Sequence, residues 1–242
     1  MSRKNTPAKR MRRRAHPTSR RIKKTASPSV HKHATELVAR HRQLAYEAAR
    51  LMADDLIEDF EHARRKAAEQ LGITDKRQWP DNLEIQQQLL ERQRLFGGAA
   101  RQRECRALLE QALAAMQVFA PFQPRLVGAA LAGTATYQQG FELQVFADSP
   151  EEVIWRLIDR KIPWSVDQGQ FRYAGNQRLE HPILRFLAGM VPVQIVVLPI
   201  KARRNPPLDP VSNRPQRGAS PRDLEDQLAR DNPCQNAPIN TH

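Results

Sequence analysis

Twelve lysines and arginines fall within residues 1–35, and no acid does; Glu36 is the first. A run of this kind cannot bury a core. Its charges repel one another, and only Met11, Ile22 and Val30 offer apolar surface, so residues 1–33 are expected to form a disordered basic arm. The formal charge of +13 therefore belongs to the arm. The remaining 27 Lys/Arg face all 26 Asp/Glu, which leaves the rest of the chain nearly neutral, with no reason to expect a basic groove.

Behind the arm, helical periodicity begins near Ala34. Leu37, Leu44, Ala48 and Leu51 recur at spacings of seven, four and three. Leu56, Phe60, Ala63, Ala67 and Leu71 form a second series, which Gly72 is placed to stop. Asp81 with Glu84 is a capping-box pair opening a third helix, with Leu83, Ile85, Leu89, Leu90 and Leu95. Gly97-Gly98 breaks it. A fourth helix carries Leu108, Leu109, Ala112, Leu113, Met116 and Phe119, up to Pro121 and Pro124. The helical region is expected over residues 34–120.

The pattern then changes. Arg125–Leu131 and Phe141–Phe146 read as strands around a Gly/Thr loop. Ser149, Pro150 and Glu152 supply an N-cap, an N1 proline and an N3 acid for a helix with Val153, Ile154, Leu157 and Ile158. Ile162–Val166, Phe171–Ala174 and Val191–Leu198 are further strand candidates, with Pro192 at a strand start, where proline is tolerated. The fold class is α+β: an N-terminal helical bundle followed by a small mixed-sheet α/β domain over residues 121–200. Residues 201–242 are expected to be mostly disordered, with one short helix from the Ser220 cap to about Arg230.

Several functions are disfavoured. Cys105 and Cys234 do not make a disulfide framework, and a reducing compartment fits them best. No apolar run approaches the ~20 residues of a membrane helix, and the N-terminus lacks the apolar stretch of a secretory signal. A transit peptide shares the arm's composition but wants a better apolar face. A cytoplasmic location is expected, with no membrane partner. There is no GxxxxGK[ST] phosphate loop and no evident nucleophile–base pair. His31 and His33 have metal-like spacing but no Cys or acid partner. Arg64, Arg65 and Lys66 read as a solvated helix edge.

The informative stretch is Leu126–Asp148, LVGAALAGTATYQQGFELQVFAD. It resembles the signature of the DNA polymerase beta-like nucleotidyltransferases, in which a strand ends in Gly-Ser, a short helical segment follows, and the next strand carries two aspartates one residue apart. More narrowly, the chain resembles a family of proteobacterial nucleotidyltransferase-like proteins across residues 40–218. The Gly133-Thr134-Ala135 loop carries this likeness, together with Phe146-Ala147-Asp148, Pro150–Val153, Leu157–Trp164 and Asp209-Pro210-Val211 with Arg214-Pro215.

The resemblance implies transfer of a nucleoside monophosphate from a triphosphate to an acceptor. That chemistry clamps attacking and leaving oxygens with one or two Mg²⁺ ions, which take hard carboxylate oxygens. Acids at i and i+2 of a strand share a face and so can share the metals. This chain departs from the pattern at those positions. Gly128 matches the motif glycine, but Ala129 stands for the serine, Gly140 for the first aspartate, Glu142 for the second, and Gln194 for the third acid. Glu142 is the one candidate for catalysis or for a metal, and its plain alternative is a solvent-facing residue of an alternating strand. Gln194 and the Gly133-Thr134 turn have equally plain alternatives, although Gly128, Gly133 and Thr134 are the candidates for cradling a nucleotide phosphate. The pattern points to a pseudoenzyme, and Mg²⁺ is expected only if activity survives.

The arm has its own chemistry. Arg10, Arg12, Arg13, Arg14, Arg20, Arg21, Lys23 and Lys24 are placed to neutralise phosphates of RNA or DNA with little sequence preference. No aromatic residue is interleaved for base stacking. An acidic membrane surface and a purely solubilising tail are the competing readings of the charge. Three functional classes therefore remain: a regulatory nucleic-acid- or nucleotide-binding protein, an active Mg²⁺-dependent nucleotidyltransferase with acids not evident from sequence, and a structural partner that docks through its helices.

Overall fold

The computed structural model describes residues 28–54, 57, 59–230 and 234, with side chains from Leu37 onward. The arm residues Arg10 to Lys24, Leu56 of the second apolar series and the side chains of His31 and His33 lie outside the described residues.

Four helices come first: α1 (Pro28–Asp54), α2 (Phe60–Leu71), α3 (Asn82–Phe96) and α4 (Gly98–Val118). Their ends follow local chemistry. Asp59 caps α2 by accepting the His62 N–H, and Gly72 ends it in the left-handed region at φ 65°. The capping box of α3 closes in both directions between Asp81 and Glu84. α1 starts at Pro28, six residues ahead of Ala34, which corrects the expected arm boundary: residues 28–33 are helix.

The four helices do not share one core. Leu44, Ala48, Leu51, Ala63, Ala67, Ile85 and Leu89 pack α1, α2 and α3 together. His41 fastens α1 to α3, with Nε2 3.0 Å from the Glu84 carboxylate and Nδ1 2.9 Å from the Gln78 carbonyl. Arg64, expected on a solvated edge, instead bonds Glu61 and Asn82 with its side chain 16% exposed. α4 turns its Leu108, Leu109, Ala112, Met116 and Phe119 to the β-sheet core instead.

The sheet follows: β1 (Arg125–Val127), a short helix α5 (Gly128–Ala132), β2 (Phe141–Ala147), α6 (Pro150–Asp159), β3 (Ser165–Arg172), β4 (Arg178–Ala188) and β5 (Val191–Pro199). Its order is β1-β2-β5-β4-β3, with β2 and β5 parallel and the other pairs antiparallel. The chain is thus α+β with a five-stranded mixed sheet. β2, β5 and the box-capped α6 stand where the sequence puts them.

Three strand expectations are corrected. Arg125–Leu131 is a strand only to Val127, because Gly128 turns to φ 68° and the Gly-Ala-Ala-Leu-Ala run, free of β-branched residues, coils into α5. Only Ser165-Val166 of the expected Ile162–Val166 strand and Phe171-Arg172 of Phe171–Ala174 are strand, and they are the two ends of a single strand, β3. The eleven-residue β4 stands where no strand is expected.

The tail is corrected as well. α7 (Pro221–Leu228) forms from the Ser220 capping box and buries Leu224 and Leu228 in the sheet core. Residues 205–219 cross the opposite face of the sheet. Leu208 N–H donates to the Arg172 carbonyl at 2.6 Å, and Leu126 and Ala219 exchange two backbone bonds of 2.9 Å that close the β1 edge. Cys105 and Cys234 form a disulfide. The two are 129 residues apart in sequence, and α7 packs on α4, the helix that carries Cys105. Among the described residues no helix is long and apolar enough to cross a membrane.

Candidate functional site

β2 has two chemically distinct faces. Phe141, Leu143, Val145 and Ala147 point into the core shared with α4, α6 and α7. Glu142, Gln144 and Phe146 point the other way, as period-two geometry requires. In the parallel register Glu142 stands beside Gln194 of β5, and on its other side it pairs with Val127 at the end of β1.

A cleft of about 570 Å³ opens at this point, between the α1–α3 unit and the sheet. Gly128, Thr134, Glu142 and Gln194 all line it. Four of the residues singled out by sequence are therefore brought together. Gly133 is not among them: it faces a second cavity, against the Cys234 carbonyl.

The C-terminal segment adds an acid, Asp209, which the sequence marks within a tail phrase but to which it gives no role. Gln216 N–H donates to the Pro207 carbonyl and Asp209 N–H to the Arg214 carbonyl, both at 2.8 Å, making a hairpin with Asp209 near its tip. Buried Gln216 fixes the hairpin to the sheet by accepting from Gln144 Nε2 at 2.7 Å. Asn82 Nδ2 donates to the Pro210 carbonyl at 2.9 Å, tying it to α3. Asp209 lines the cleft and spends one carboxylate oxygen on the Ser212 N–H and hydroxyl.

Burial, and secondarily the charge of Asp209, push the Glu142 carboxyl up to about 7. At neutral pH it is therefore only partly ionised. Gly128 sits directly over it: a Cβ there would lie 3.7 Å from Glu142 Oε2.

The position matching the first signature aspartate is closed by geometry. Gly140 holds φ 70°, and a Cβ on it would lie 1.8 Å from the Pro192 carbonyl oxygen. No side chain fits there on this backbone. Gln194, at the third-acid position, is neutral. Among the described residues no three His, Cys, Asp or Glu side chains come together as a metal site. The residues present do not fit the carboxylate cage that two Mg²⁺ ions require.

Two of the three phosphate-cradle positions, Gly133 and Thr134, are also committed. Gly133 N–H donates to the Ala130 carbonyl, and the N–H groups of Thr134 and Ala135 both go to the Ala129 carbonyl. The Thr134 hydroxyl donates to that same carbonyl at 3.3 Å. Two arginines line the cleft, and both are used. Arg92 bonds Asp54 at 3.1 Å and stacks over Phe96. Arg101 bonds Glu104 at 2.9 Å and donates to the Gly133 and Ala135 carbonyls. Among the described residues the cleft therefore faces a ligand with Glu142 and Asp209, without a free cation. No protein family, curated protein or solved structure matches this chain.

Proposed function

We propose that this protein binds nucleic acid through its basic arm and carries a nucleotidyltransferase-like domain whose transfer chemistry has been lost. One observation carries the second half of this reading. The cleft assembles Gly128, Thr134, Glu142 and Gln194 in one place, as the resemblance implies, yet Gly140 is sterically closed to an acid. The order β1, α5, β2 with β5 alongside supports the likeness to that fold. A triphosphate brings dense negative charge. Here it would meet two carboxyls, two neutralised arginines and a Gly133–Ala135 turn whose backbone donors are already in use.

The arm supports the first half. Twelve bases in 35 residues release counterions from a phosphate backbone, so affinity falls steeply with salt. The test is a fluorescence titration of the full chain with single-stranded RNA and duplex DNA, at low and high salt. A second chain has Arg10, Arg12, Arg13, Arg14, Arg20, Arg21, Lys23 and Lys24 replaced by glutamine. Binding at low salt that fades at high salt and is lost in the glutamine chain is expected. Equal binding by the two chains, or none at low salt, refutes it.

The runner-up is an active enzyme, and Asp209 is the observation that favours it, since it stands beside Glu142 as a second acid.

A further inference from the structure

The loop from Gly133 to Gly140 forms one wall of the cleft, and α4 holds it in two ways. The first is polar: Arg101 donates to the Gly133 and Ala135 carbonyls, and Glu104 accepts the Tyr137 N–H at 2.9 Å. The second is indirect, a contact made through a residue that a disulfide ties to α4. Cys105 of α4 is bonded to Cys234, with their Cα atoms 6.4 Å apart, and the Cys234 backbone lies against Gly133. A Cβ at Gly133 would come within 2.7 Å of the Cys234 carbonyl oxygen, so this left-handed glycine, at φ 80°, is the seat on which Cys234 rests. On this side of the loop lies a second cavity of about 450 Å³, lined by Cys105, Ala132, Gly133 and Cys234. It shares Leu90, Gln93 and Arg101 with the cleft.

We propose that the Cys105–Cys234 disulfide is a redox-operated latch on this loop. While the bond is intact, Cys234 covers Gly133 and the loop is fixed as the cleft wall. When it is reduced, Cys234 leaves its seat, the loop loosens, and the second cavity opens toward the first. The chemistry is thiol–disulfide exchange with a dithiol reductant. Its thiolate attacks the sulfur of Cys234, the less buried partner, and the S–S bond breaks, releasing the Cys105 thiolate. The second thiol of the reductant then displaces the mixed disulfide. Both cysteines end as thiols and the dithiol as a disulfide, a balanced transfer of two electrons and two protons.

The chain has only these two cysteines, so no other pairing competes. In reducing surroundings such a bond acts as a sensor rather than a permanent staple. The rest of the sheet core has its own support in Leu143, Leu157, Leu184 and Ile195, all fully buried and none dependent on the bond. This inference concerns the loop and stands whatever the cleft binds.

The test is hydrogen exchange followed by mass spectrometry on the full chain, before and after dithiothreitol, and on Cys234→Ser. Cys234→Ser is chosen because emptying the Cys105 position would disturb the core by itself. Amides of Thr134, Ala135 and Gly140 are expected to exchange at least about tenfold faster after reduction, and equally fast in Cys234→Ser, with β2 and β5 unchanged. Unchanged loop exchange would reduce the bond to a passive cross-link and overturn the proposal. So would exchange rising equally in β2 and β5, or two titratable thiols persisting in glutathione disulfide.

Discussion

The two faces of β2 differ in what they tolerate. On the core side, Phe141, Leu143, Val145 and Ala147 meet three helices in close packing, and any change of shape is felt by the whole domain. On the cleft side, Glu142 and Gln144 meet a polar hairpin and an open cavity. The first face specifies the fold. The second carries the polar groups of the cleft, with Glu142 of β2 beside the neutral Gln194 of β5.

The contrast can be broken most severely where the two faces meet. Gly140→Asp, which restores the signature acid in name, is expected to cost more than about 3 kcal/mol, because the new Cβ collides with the Pro192 carbonyl and the φ is strained. Urea unfolding read by circular dichroism measures it; an unaltered midpoint would show that the backbone yields. On the core face, Leu143→Ala removes a fully buried side chain and is expected to cost about 2–5 kcal/mol by the same assay.

On the cleft face the sign reverses. Glu142 titrates near 7 in the folded chain against an ordinary value of 4.5. Below pH 4.5 it is protonated folded or unfolded and costs nothing. Between 4.5 and 7 the unfolded chain ionises first, so stability falls, and above 7 the full penalty applies. Glu142→Gln is therefore expected to stabilise the protein by about 1–3 kcal/mol at pH 8 and to change little at pH 4. Destabilisation at pH 8 would mean that the carboxylate has a partner. The smallest effect on the fold is expected for Gln194→Glu, about 1 kcal/mol or less near neutrality as a third carboxyl joins Glu142 and Asp209. It sharpens the comparison chemically, since it is expected to raise Mg²⁺ affinity measured by calorimetry; equal affinity in both chains would show that Gln194 is not at the cleft's acid position.

Much of this was legible in sequence because it is local. Gly72, the Asp81–Glu84 box and the Ser149-Pro150-Glu152 start act within one helical turn, and each does so where the residues lie. β2 and β5 are apolar because both are interior strands. β4 was hidden by its position next to the edge strand: its first residues are exposed, and Pro182 interrupts the pattern where β4 pairs only with β3. Of the site candidates named in sequence, Gly128, Thr134, Glu142 and Gln194 line the cleft and Gly133 does not, while Asp209 had no assigned role. It reaches the cleft through a hairpin held by Arg172, Gln144 and Asn82, none of them near it in sequence. The disulfide was hidden for the same reason.

We propose that the cleft keeps the frame of a nucleotidyltransferase without its chemistry. The most direct test is calorimetric titration of ATP, GTP, CTP and UTP, with and without Mg²⁺, into the chain whose eight arm bases are glutamine, so that the arm cannot imitate a triphosphate site. No binding of any nucleotide is expected under either condition. Mg²⁺-dependent binding of one nucleotide, abolished by Glu142→Ala, would contradict the account and identify Glu142 and Asp209 as the acids of a working enzyme.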